Sequence, residues 1–154
     1  MLRVKILASA VPLLLAGVVA GGELVPGTNP CIALGRASMQ IATAPWQNPL
    51  HVSFTDDPET ATVRVQIVDS AEIADFTVID GAQNAETDSC TVTADTSFVS
   101  IAARAAASEP VIYLSHNPGA DYRIFVQSRT FSTRDAAALV VGAGHRVRIA
   151  ERSM

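Results

Sequence analysis

A chain of 154 residues, 49 % of them hydrophobic, has room for one domain of ordinary size with a real core. Its 15 Asp and Glu against 11 Lys and Arg leave a net charge of −4. An acidic surface repels phosphate backbones and anionic lipid heads, which argues against nucleic-acid and peripheral-membrane binding.

The chain opens with Arg3 and Lys5, then runs from Ile6 to Gly22 without a charge. A positive start, an apolar stretch and small residues at Ala20 and Gly22 form the pattern of a secretory signal peptide over 1–22, cleaved after one of those two. An uncleaved anchor fits less well. The uncharged run is short for a bilayer core of roughly 30 Å, and Pro12 interrupts it. Thr28-Asn29-Pro30 before Cys31 also lacks the small apolar pattern of a lipid-anchor site. Cleavage removes Arg3 and Lys5, so the mature chain carries 9 Lys and Arg against 15 Asp and Glu, a net charge of −6. The sequence thus predicts a periplasmic or secreted protein with no membrane insertion after cleavage.

Outside a reducing compartment, Cys31 and Cys90 are expected to pair as a disulfide. Closing such a loop stabilises by about 4 kcal/mol in the chain-entropy picture. A redox or catalytic thiol would call for a Cys-x-x-Cys spacing, which is absent.

Residues 23–44 are rich in Gly and Pro and read as an irregular lead-in, although 38–43 (SMQIAT) is a weak strand candidate. Strand-like runs follow at 50–55, 62–68, 75–80, 97–102, 111–115 and 122–127. In 62–68, Val63, Val65 and Ile67 alternate with Arg64 and Gln66, the period-two pattern of a sheet with one apolar face. His116-Asn117-Pro118-Gly119 reads as a turn between two of these runs. A helix is signalled at 132–142: Ser132 caps it, Asp135 completes a capping box, Phe131 sits at the staple position, and Gly142 and Gly144 stop it. Residues 146–154 then form a tail. The starts Ala61-Thr62, Ala74-Asp75 and Ala120-Asp121 echo one another, but their spacing is unequal, so shared strand-start chemistry is favoured over a repeat.

No motif in the sequence carries chemistry. His51, His116 and His145 lack the paired spacing of a zinc site. The acids at 56–59 form no Asp-x-Asp-x-Asp-Gly calcium loop and read as a capped turn. No Gly-x-Ser-x-Gly elbow or glycine-rich phosphate loop is present, and the adjacency of Ser115 and His116 on a strand end is no dyad, since neighbours there point apart. The sequence therefore assigns no catalytic residue, metal ligand or cofactor. One surface is singled out: Arg64 and Gln66 on one strand with Arg123, Phe125, Gln127 and Arg129 on or just after another. Neighbouring strands would make this an arginine-flanked aromatic patch, the chemistry of protein interfaces.

The segments Thr43-Ala44-Pro45-Trp46-Gln47, Phe54-Thr55-Asp56-Asp57-Pro58, 110–115 (PVIYLS) and 121–128 (DYRIFVQS) resemble those of small uncharacterised exported proteins of Gram-negative bacteria. The resemblance implies a bacterial envelope location and says nothing about activity.

Together these features predict an α+β domain over 45–145, a single mainly antiparallel sheet of five to seven short strands with one C-terminal helix packed on it. The leading function is a non-enzymatic protein-interaction module of the cell envelope with an unknown protein partner. A small-molecule or ion-binding module is the alternative, and a hydrolase with an unrecognised site the third.

Overall fold

The computed structural model describes residues 31–34, 37–79, 92–104, 106–129 and 131–153. The expected leader at 1–22 and Cys90 lie outside the described residues. Eight strands form one curved half-barrel sheet: β1 (Cys31–Leu34), β2 (Ala37–Ile41), β3 (Leu50–Thr55), β4 (Val63–Ile67), β5 (Phe76–Ile79), β6 (Thr96–Ile101), β7 (Val111–Ser115) and β8 (Tyr122–Gln127). A single described α-helix, α1 (Thr133–Arg152), follows. The strand order is β1-β2-β6-β3-β7-β4-β8-β5. Only β1 and β2 are antiparallel; the other six pairings are parallel.

This corrects the expectation of five to seven mainly antiparallel strands, while the α+β class and the C-terminal helix agree. Short connections with turn chemistry ordinarily signal hairpins, and parallel neighbours ordinarily need a dozen or more residues. Here the connections within β2–β5 and within β6–β8 have only six to nine residues, and each skips one strand. The geometry permits it. Returning along a five-residue strand covers ~17 Å, stepping over one intervening strand covers ~10 Å, and six extended residues span ~20 Å. His116–Gly119 does turn the chain, but β4 lies between the two strands it joins.

Two sets of strands interleave with a constant sequence offset. Register partners in β2–β6 and β3–β7 are 58 residues apart and those in β4–β8 are 57 apart. In β3–β6 and β4–β7 the offset is 49, and in β5–β8 it is 48. The echoed strand starts are part of this arrangement. Asp121 donates its backbone N–H to the Arg64 carbonyl at 2.9 Å and accepts the Arg64 N–H on Oδ2 at 2.8 Å. Asp75 does the same with Arg123, at 2.8 Å each way. Thr62 pairs with Val111 likewise, at 2.9 and 2.8 Å. In each case a side-chain oxygen replaces the carbonyl that a parallel ladder lacks where one strand has not yet begun, so the neighbour's N–H is satisfied.

The two faces of the sheet differ. Met39, Val52, Val65, Val99, Ile112 and Ile124 are buried against α1. The helix itself is buried in unbroken succession from Ala136 to Ala143. A helix lying on a flat sheet buries one stripe, whereas one buried nearly all round is wrapped, here by the concave side of the half-barrel. The expected Ser132–Asp135 capping box is present, with Ser132 Oγ accepting the Asp135 N–H at 3.1 Å and Asp135 Oδ2 accepting the Ser132 N–H at 3.1 Å. Phe131 packs against the core.

The helix does not stop at Gly142 or Gly144 but continues through the expected tail to Arg152. Those glycines mark close approach. A Cβ on Gly142 would lie 3.3 Å from the Cβ and Cγ2 of Val99, and one on Gly144 would overlap the Tyr122 hydroxyl. The segment read as an irregular lead-in also contributes β1 to the sheet, and the weak strand candidate at 38–43 coincides with β2.

Gly144→Ala separates two opposed effects. Helix propensity alone would add about 1 kcal/mol of stability, but Tyr122 is fixed by an edge-on contact with Phe76 and a 2.9 Å hydrogen bond from Arg148. Overpacking is expected to dominate, and chemical denaturation should report a net loss of about 1–2 kcal/mol.

Candidate functional site

The sheet face turned away from α1 carries the chemistry. The residues singled out in the sequence lie together there. Gln66 and Arg123 are register partners on β4 and β8, Thr77 faces Phe125, and Ile79 faces Gln127 on the edge strand β5. Phe125 is half-buried and stands outside the helix-side core.

Three polar members of this patch, Arg64, Gln66 and Arg123, are anchored by return segments. Arg64 Nη2 donates to the Pro58 carbonyl at 3.2 Å, and Gln66 Nε2 donates to the His116 carbonyl at 3.3 Å. Arg123 makes a two-point contact with Asp75, with Nη2 to Oδ1 at 2.7 Å and Nε to Oδ2 at 3.3 Å. The side-chain bonds from the Arg123 guanidinium, then its backbone N–H, hold the Asp75 carboxyl below its ordinary value, and the same side-chain bonds raise Arg123. Asp75 thus supports β8 twice, through the backbone rung and through the ion pair.

A second cluster lies at the other end of this face, and sequence reasoning missed it. Ser100 of β6 and His51 of β3 are register partners. On the far side of His51, Glu109 just before β7 places Oε1 3.2 Å from His51 Nδ1. Glu109 Oε2 accepts the Ala106 N–H at 2.9 Å, so both carboxylate oxygens are held. Ser100, His51 and Glu109 therefore form one row across three adjacent strands. His51 and Ser100 line a shallow hollow of about 400 Å³ with Ala42, Pro45, Asn48 and Pro49. Asn48 is held in the left-handed region at φ 47°, where its N–H donates to the Pro45 carbonyl. His51 and Glu109 are 58 residues apart, the same offset as Ser38 and Thr96, so they extend the β3–β7 register by two residues. Only that offset could have revealed the cluster.

Ser115 Oγ accepts the Asn117 N–H at 3.1 Å and shapes the turn. Asp57 Oδ1 accepts the Glu59 N–H at 2.9 Å, closing its own turn. Among the described residues no group of three His, Cys, Asp or Glu could hold a metal ion, and no helix is long and apolar enough to cross a membrane. Cys31 is 8 % exposed and is not a free cysteine. The expected pairing with Cys90 falls outside the described residues.

No family model, curated protein or solved structure matches this chain.

The Asp75–Arg123 contact sets a pH dependence. A carboxyl held below its unfolded value contributes stability that is complete above that value and is lost as pH falls through the folded value. Asp75→Asn should therefore be slightly less stable than the parent at neutral pH, the effect kept small by solvent screening of so exposed a pair. The two should converge on acidification below the ordinary aspartate range. Urea denaturation of both proteins across that range checks it.

Proposed function

We propose that the chain is an exported protein of the bacterial cell envelope that works by binding another protein through the outer sheet face at β4, β8 and β5. The observation that carries this reading is the setting of Phe125. It lies on the face away from the helix, between Arg123 and Gln127, and Ile79, the register partner of Gln127, is 46 % exposed on the edge strand. Apolar centres ringed by arginine and amides are what protein interfaces use as anchors. Asp75, Pro58 and His116 hold the surrounding polar groups in place, so little ordering is left to be done on binding.

Export rests on the leader at 1–22, and the Cys31–Cys90 disulfide belongs to the same proposal. Both agree with the resemblance to small exported proteins of Gram-negative bacteria, and the net charge of −6 after cleavage suits a soluble protein that avoids nucleic acid.

A tagged full-length chain captured from a crosslinked envelope fraction tests the reading. The parent should be recovered from the periplasm with its new N-terminus after Ala20 or Gly22, together with a protein partner. Phe125→Ser should lose that partner by tenfold or more, with a stability cost of about 1 kcal/mol for a half-exposed ring. Equal recovery by both forms, or unfolding of the variant, would contradict the reading.

A further inference from the structure

We propose that Ser100, His51 and Glu109 form a nucleophile–base–acid relay that hydrolyses small acyl esters in the hollow beside them. The inference goes beyond the contact reading and uses the opposite end of the same sheet face.

The order of the groups carries the argument. A serine is activated by an imidazole whose remote nitrogen is held by a carboxylate, so the three must stand in line with the histidine in the middle. The interleaved register supplies that order. Ser100 lies on β6 to one side of His51, and Glu109 lies before β7 on the other. Glu109 Oε1 lies 3.2 Å from His51 Nδ1; a carboxylate can only accept, so in the neutral ring this contact selects the Nδ1–H tautomer and leaves the Nε2 lone pair as the base. With Nδ1 engaged on the β7 side, Nε2 is left on the side away from Glu109. Adjacent strands lie ~4.8 Å apart, and with the imidazole held by Glu109 it is rotation about the Ser100 χ1 that brings Oγ to Nε2, a hydrogen bond not yet made in the structure. Such contacts commonly tighten only with substrate in place.

Glu109 is a fixed group. Its second oxygen takes the Ala106 N–H, and its own N–H donates to the Ala106 carbonyl at 3.0 Å. A flexible surface carboxylate would orient nothing. Its side chain is 21 % exposed beside a 47 % exposed His51, so the carboxylate is partly screened from solvent while the imidazole stays open to the hollow.

The hollow indicates the substrate class. At about 400 Å³ it suits a small ligand. Ala42, Pro45 and Pro49 offer short apolar walls for an acyl chain, and Asn48 supplies an amide donor on the same rim for the oxyanion. Bond changes balance without a cofactor. Ser100 Oγ bonds to the ester carbonyl carbon as its proton passes to His51 Nε2. The carbon–oxygen bond to the leaving alcohol breaks, and Nε2 returns the proton to that alcohol. Water then adds to the acyl carbon, gives a proton to Nε2, and the carboxylic acid leaves as Ser100 Oγ recovers it. One water is consumed for each ester cleaved.

The test treats the purified chain with a fluorophosphonate reagent and, separately, with p-nitrophenyl acetate and butyrate. Folding of every variant is verified by circular dichroism. The expected result is one phosphonate adduct, located on Ser100 by peptide mass spectrometry. Ser100→Ala should remove it, His51→Gln should slow labelling and ester hydrolysis by ~100-fold or more, and Glu109→Gln should slow both by ~10-fold. Ser115→Ala and Phe125→Ser should label like the parent, the latter separating this site from the contact patch. An adduct elsewhere, no adduct above that of the heat-unfolded chain, or ester hydrolysis unchanged in folded Ser100→Ala would overturn the proposal. The last result would assign any turnover to an exposed imidazole alone.

Discussion

The fold depends on how closely α1 can lie inside the half-barrel. A sheet that closes around a helix needs side chains on that helix small enough for the strands to approach from several directions. Ala136, Ala137, Ala138, Gly142 and Ala143 meet this demand, and Leu139, Val140 and Val141 fill the remaining space. Val99 of β6 would sit tight against a methyl group at Gly142, and Tyr122 of β8 leaves no room for one at Gly144. Once the concave side is occupied in this way, the short return segments are confined to the rims and the convex side. They become the anchors of the polar groups there.

The interleaving of β2–β5 with β6–β8 follows a constant offset, and function, as proposed, follows from that offset. It puts Gln66 beside Arg123 and Thr77 beside Phe125 at one end, and Ser100, His51 and Glu109 in line at the other. The strand-start rungs keep the register. A slip of one residue would turn every inner side chain outward and would also detach Asp75, Asp121 and Thr62 from the N–H groups they accept. The same acid can therefore serve register and surface, as Asp75 does for the backbone and side chain of Arg123.

Much of this was legible in the sequence, for physical reasons that differ between elements. Alternation of Val63, Arg64, Val65 and Gln66 reports a sheet with unlike faces whatever the pairing, so β4 and the outer patch were readable. The Ser132–Asp135 box marks a helix start through local hydrogen bonds, so it was readable too. Strand direction was not. Six to nine residues between strands suggest hairpins unless one knows that each connection passes over a third strand. Glycine at 142 and 144 has two meanings, a stop and a close approach, and only the position of Val99 and Tyr122 decides between them. The row of Ser100, His51 and Glu109 was invisible because His51 is 49 and 58 residues from the other two, and the register that sets it between them is a property of the topology.

Parallel interleaving is the claim on which the patch and the row both stand, and nuclear Overhauser contacts between strands in the isotope-labelled protein test it most directly. β7 should show contacts with β3 and β4, pairing Phe54 and Val63 with Ile112, and none with β8. Close Hα–Hα contacts between β7 and β8, the mark of an antiparallel hairpin, would contradict it.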